Sequence, residues 1–280
     1  MNKRDHEDAA LANKEMYNLA VVVKKPVTKK SRAKPSIFSA SYGKLYEKLM
    51  ADAYNHAVKF TPIPEVLDIG AGEGLATLQF LKLGAKVAAV DISDSQLQKL
   101  NEQCVDYGDR LEVYCQEVLD AINMFKAKKK KFDVIVAFSF LHHIPNYLNM
   151  IKQSAEVLSP GGQFLTFADP LRYNSVGLFT RFFDQFAYYS WRIFRGDVLN
   201  GIKRYSRRKR GIYLEDCIED NLEYHCLRGG VDQDAINELF NKIGFECKIV
   251  RYYGTFRPFW QFIGSTLGIK NLFAVIAQKK

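Results

Sequence analysis

The chain has 280 residues, 48% of them hydrophobic, with 40 Lys/Arg against 31 Asp/Glu. That is enough apolar material for one sizeable core, and no run approaches the roughly 18 uninterrupted apolar residues of a membrane-spanning helix. The five cysteines (Cys104, Cys115, Cys217, Cys226, Cys247) form no C-x-x-C pair, which argues against a metal ribbon or redox couple and for thiols kept reduced in a cytoplasmic protein.

Residues 1–35 carry nine Lys/Arg against four acids, so this stretch holds +5 of the chain's +9. It reads as a flexible basic leader with little to bury. LAVVV (19–23) is too short for a signal-peptide core. Residues 36–280 are expected to form one domain. Apolar residues at helical spacing (Leu45, Leu49, Ala53, Ala57) predict a helix over 40–59, stopped by TPIP (61–64). A regular alternation follows, with strands expected at 65–70, 86–92, 110–117, 132–140 and 162–169. Helices are expected at 74–84, 93–108 and 148–158. The lysine run at 126–131 reads as a solvated turn before the fourth strand. Such alternation means a parallel α/β sheet covered on both faces, with ligands at the carboxyl edge. Residues 171–230 break the rhythm, first aromatic and then basic. A helix (231–244) and strands at 245–254 and 271–278 complete the chain.

The stretch EVLDIGAGEG (65–74) is a strand, a glycine loop and the start of a helix. The spacing Gly70-x-Gly72-x-Gly74 puts Leu75 where a dinucleotide loop needs its third glycine. Asp68 would face the pyrophosphate of such a ligand. Like unit charges at ~4 Å and an effective dielectric of ~20 repel by about 4 kcal/mol. S-adenosylmethionine has no phosphate and carries an ammonium and a sulfonium, so the same acid becomes attractive. A phosphate-binding P-loop is excluded because no Gly-Lys-Ser/Thr follows. Asp91 ends the next strand, where a carboxylate can accept hydrogen bonds from two ribose hydroxyls.

VLDIGAGEG, VAAVDIS, FDVIVAFSFLHHI and VLSPGGQFLTF together resemble the successive motifs of class I S-adenosylmethionine-dependent methyltransferases, especially the ubiquinone/menaquinone-biosynthesis type and its small-molecule relatives. The resemblance covers about 62–169 and the helix and strands after 231. It implies a Rossmann-like seven-stranded sheet of order 3-2-1-4-5-7-6 with the last strand antiparallel. It implies that Asp68, Gly70, Ala71 and Gly72 hold the methionine end of S-adenosyl-L-methionine. Asp91 and Ile92 would hold the ribose and adenine, and Glu117 with Val118 would reach the adenine. Phe138 and Ser139 would lie under the reactive methyl.

A hydroxyl acceptor must lose a proton, and His142 and His143, just past the fourth strand, are the candidates for taking it or for orienting the acceptor. The chain has SFLHHIP where enzymes that methylate exocyclic amines carry Asn/Asp-Pro-Pro-aromatic. The insertion 171–230 is expected to cap the acceptor pocket, its Phe179, Phe182, Phe183 and Phe186 following one helical face. A core helix packed on the sheet is the plainer alternative. Tyr42, Phe182, Phe186, Arg172 and Arg257 are the acceptor-binding candidates. The cluster Lys203–Arg210 fits an anionic membrane surface, a phosphate-bearing substrate or plain solvation. The expected function is methyl transfer to oxygen or nitrogen of a small-molecule or lipid-like acceptor. RNA methylation through the basic clusters and a non-catalytic cofactor-binding role stay open. No metal site is indicated.

Overall fold

A strand covered on both faces needs apolar residues in succession rather than in alternation. β1 (Glu65–Ile69) meets this with Val66, Leu67 and Ile69 fully buried around Asp68. The computed structural model describes residues 41–195, 229–255 and 258–280, with the isolated residues 11, 14, 206 and 210. The leader expected over 1–35 and the basic cluster at 203–210 lie outside the described residues, those isolated positions aside.

In chain order, α1 (Ser41–Ala57) leads into β1, α2 (Leu75–Leu83), β2 (Lys86–Asp91), α3 (Asp94–Cys104), β3 (Leu111–Cys115) and α4 (Val118–Ala127). Then come β4 (Phe132–Phe138), α5 (Tyr147–Glu156), β5 (Leu158–Pro170), α6 (Leu178–Arg195), α7 (Gln233–Lys242), β6 (Phe245–Tyr252), α8 (Pro258–Thr266) and β7 (Leu272–Lys279). The strands form one seven-stranded sheet of order β3-β2-β1-β4-β5-β7-β6. β1 to β5 are parallel, and β7 runs antiparallel to both β5 and β6. This is the implied Rossmann-like order.

Two cores sandwich the sheet. On one face Tyr46 and Met50 of α1 and Phe80 of α2 pack on Val66, Val134 and Phe167. On the other, Phe125 of α4, Ile151 of α5 and Phe240 of α7 pack on Leu67, Ile135 and Phe164. α6 and α8 stand in a small cluster of their own, where Phe183 meets Tyr253, Ile269 and Trp260.

The structure differs from the sequence expectation in three places. α4 was not anticipated; it absorbs the head of the lysine run, and Lys126 pairs with Glu156 at 3.0 Å. Lys130, beyond its end, pairs with Glu112 at 3.0 Å and lies over the Phe125 and Phe132 rings. α8 forms in the stretch between the last two expected strands, where TFRPFWQFIGSTLGIK (255–270) reads as a connection rich in Phe and Trp. β5 starts four residues early, with an irregular step opposite Phe132/Val134.

Candidate functional site

The glycine loop leaves β1 at the carboxyl edge and is pinned to its neighbour. The N–H groups of Gly70 and Ala71 both donate to the Val90 carbonyl, at 2.9 and 3.0 Å. Gly70 and Gly72 hold φ of +70° and +53°, a region costly for other residues. A Cβ on Gly70 would sit 2.1 Å from Cδ2 of Phe140, whereas one on Gly72 would meet nothing within 4 Å. Gly70 is therefore required by the protein's own packing. Gly72 opens onto empty space, as a position bordering a ligand should.

Beside this loop lies a cavity of about 350 Å³. Gly70, Ala71 and Gly72 border it, together with Asp91 and Ile92 from the end of β2. Glu117 and Val118, after β3, form another part of its wall. Phe138 at the end of β4, and Ser139, Phe140 and His143 beyond it, close it. Nine of the ten cofactor candidates read from the sequence meet at this cavity.

Asp68 is the tenth, and it stands behind the loop rather than in the wall. It is 1% exposed. Its Oδ2 accepts from Thr77 N–H (2.9 Å) and Thr77 Oγ1–H (2.6 Å), both from the first turn of α2. Its buried Oδ1 has no hydrogen-bond partner. Burial pushes the carboxyl up to about 7; the Thr77 bonds oppose this and the nearby Asp91 charge adds to it.

Asp91 is engaged on both oxygens. Oδ2 accepts from Gly72 N–H and Oδ1 from Ser93 N–H, each at 2.8 Å. With a further bond from the Ile92 backbone, these fix the carboxylate at the cavity edge. Burial raises its pKa, against those backbone bonds. Glu117 turns back to cap α4, accepting from Leu119 N–H at 2.6 Å and Asp120 N–H at 3.4 Å.

At the ends of β4 and β5 the backbone is strained. Ser139 has φ +51° and Ala168 φ +66°. Ser139 N–H donates to Phe167 O at 2.7 Å, and Ala168 N–H to the Tyr252 hydroxyl at 2.9 Å. The β5–β7 register shifts between Phe167 and Asp169, so Ala168 is a bulge. Asp169, just past it, is fully buried and accepts from His142 N–H (3.2 Å) while pairing with His142 Nδ1 (2.9 Å). Its Oδ2 has no partner. The His142 and His143 rings lie 4.0 Å apart. Of the two, His143 borders the cavity.

The acceptor candidates do not gather there. Phe182 and Phe186 are 69% and 54% exposed and lie outside the cavity wall, because Phe183 and Ala187 occupy the inward line of α6. Arg172 is exposed and paired with Asp232. Arg257 and the side chain of Tyr42 lie outside the described residues. Phe140, Gln96, Gln116 and Asp169 were missed. For Asp169 the signal was an acid ending an apolar strand, the same feature that marked Asp91.

The chemistry of this donor set favours a cationic ligand end. A buried acid with an orphan oxygen lies behind an open glycine, a second acid sits on the rim, and among the described residues no Lys or Arg borders the cavity. Among the described residues no helix is long and apolar enough to cross a membrane.

Residues 66–162 match the family model described as a methyltransferase domain. The ubiquinone biosynthesis O-methyltransferase of Coxiella burnetii is 32% identical over 98 residues, covering 35% of this chain and 40% of that protein. Its counterpart in Nitrosococcus oceani is 30% identical over 98 residues, with the same coverage of 35% and 40%. The match thus spans two fifths of the length of these curated relatives. Among solved structures, magnesium protoporphyrin IX methyltransferase from Synechocystis PCC 6803, with bound SAH, superposes with a TM-score of 0.56 at 13% identity, over 98% of this chain and 100% of that one. The plantazolicin methyltransferase BpumL in complex with SAH gives 0.53 at 15% identity, over 99% and 97%. At such identities the likeness is one of fold.

Proposed function

We propose that this class I S-adenosylmethionine-dependent methyltransferase domain transfers the cofactor's methyl group to a hydroxyl of a small, largely apolar acceptor. The observation that carries the reading is the cavity itself. An open Gly72, the Asp91 carboxylate and the strained Ser139 converge on it from three strand ends, within the stretch that matches the methyltransferase model. The names of the matched relatives support oxygen as the acceptor atom and a small molecule as the acceptor. Free Cys104, Cys115 and Cys247 support a cytoplasmic setting.

S-adenosylmethionine supplies an electrophilic methyl on sulfonium, which an acceptor lone pair takes in line as the carbon–sulfur pair returns to sulfur. The chain's part is to hold, align and dry the reacting groups. Asp68 and Asp91 place negative potential at the two ends of the glycine loop, suited to an ammonium and to ribose hydroxyls. Phe138 and Phe140 exclude water. His143 faces the cavity and is proposed to receive the acceptor's proton. His142, held by Asp169, positions it through the ring contact. His143→Ala should lower kcat about 10²-fold with little change in cofactor affinity. A rate unchanged by that substitution would leave alignment alone as the source of acceleration.

The decisive test is calorimetric binding of S-adenosylmethionine, S-adenosylhomocysteine and NAD to the full chain, with Asp91→Ala as control. Binding of the two sulfur nucleotides only, lost in the variant, supports the reading. Folded protein that binds neither ends it.

A further inference from the structure

We propose that α6 and α8 together form a docking surface for an anionic phospholipid bilayer. Five large apolar side chains of α6 point to solvent: Leu178, Phe179, Phe182, Phe186 and Ile193, exposed by 81, 62, 69, 54 and 65%. At about 100° per residue they fall within one arc of roughly 100°. This outward face is not a fraying end of the helix, because the opposite side is anchored. Phe183 packs edge-on against Trp260 and Tyr253, Ala187 is buried, and the Asp184 carboxylate is hydrogen-bonded to Asn271 and Tyr253.

α8 extends the same surface. Phe259 and Phe262 are 65% and 72% exposed, and Trp260 joins the two helices by meeting Phe186 at 5.5 Å and 89°. Seven exposed large apolar groups on two braced, adjacent helices are more than scattered surface residues, and such a patch marks an interaction site.

Charge decides the partner. The segments 171–195 and 253–271 hold Arg172, Arg181, Arg192, Arg195, Arg257 and Lys270 against a single acid, Asp184. That acid faces inward. The sequence that follows, 196–230, holds seven Lys/Arg, six of them between 203 and 210, against six acids. Exposed Phe and Leu on segments whose sequence is rich in Arg fit the boundary between acyl chains and anionic headgroups. A self-associating face or a neutral apolar partner would have no use for this excess of charge. The inference stands apart from methyl transfer, and it would bring the protein to where an apolar acceptor dissolves.

The test is co-sedimentation of the full chain with phosphatidylcholine vesicles, with and without phosphatidylglycerol, alongside calorimetric binding of S-adenosylmethionine. Wild type should bind the mixed vesicles, release as salt rises, and bind pure phosphatidylcholine far more weakly. Phe179→Glu/Phe262→Glu should reduce binding about tenfold or more with circular dichroism and cofactor binding intact. Should that variant fail to fold, Phe259→Glu serves instead. No vesicle binding, equal binding to both compositions, or binding unaltered by the Phe substitutions would overturn the proposal. So would concentration-dependent self-association abolished by the same substitutions, without vesicle binding. Loss of cofactor binding in wild type would count against the methyltransferase reading and leave this one untouched.

Discussion

Asp68 is held half ionised near neutral pH by burial, at about 7 against an ordinary 3.8. Between those two values the folded chain keeps a proton that the unfolded chain has lost. Stability of the cofactor-free protein therefore falls as pH rises from about 4 to about 7, and levels off above. A cationic ligand end near Asp68 favours the ionised form, so S-adenosylmethionine binding should release a proton near pH 6 and tighten as pH climbs to about 7.5. Calorimetry in buffers of different ionisation enthalpy reads that proton. Asp68→Asn should abolish it, weaken binding, and raise the melting temperature at pH 8 by removing a buried charge. The two glycines offer a paired contrast. Gly70→Ala should unfold or strongly destabilise the protein, since its Cβ collides with Phe140. Gly72→Ala should cost about 1–2 kcal/mol for its backbone conformation, visible in a denaturant melt, yet lose most of its cofactor affinity.

At the scale of elements, the caps and bulges place the chemistry. Glu117 starts α4, so Glu117→Ala should lower stability by about 1 kcal/mol in urea melts whether or not a ligand is present. The Ala168 bulge turns Asp169 toward His142. Ala168→Gly should relieve its positive φ and gain about 1 kcal/mol, and a melt no higher than wild type would show that the bulge is unstrained. What the sequence disclosed at this scale follows its periodicities. Runs such as Val66–Ile69 and Val87–Val90 announced buried strands, and Asp68 within the first and Asp91 after the second announced a carboxyl-edge site. α4 escaped although Val118, Ala121, Ile122 and Phe125 have helical spacing and Glu117 caps them, because the following lysines drew the reading toward a turn. The bulge left no trace, since one extra residue changes no composition. The aromatic face of α6 was legible as a stripe, but which line of it turns inward depends on Trp260 and Tyr253, far along the chain.

For the whole molecule, the sheet order and its single reversed strand were readable only through the family resemblance; strand patterns alone do not rank seven strands. The separation of α6 and α8 from the two main cores also had no local signal. β7 lies between β5 and β6, the outer neighbour of the one and the inner neighbour of the other. On a ribosome it is the last of the seven strands to emerge, about a hundred residues after β5 is complete. At ~5–20 residues per second the outer edge of β5 stays open for roughly 5–20 s, an unpaired apolar strand facing other nascent chains. The cofactor loop is made early, but the sheet that steadies Asp169 closes late. Newly made protein therefore depends on whatever shields that edge in the interval.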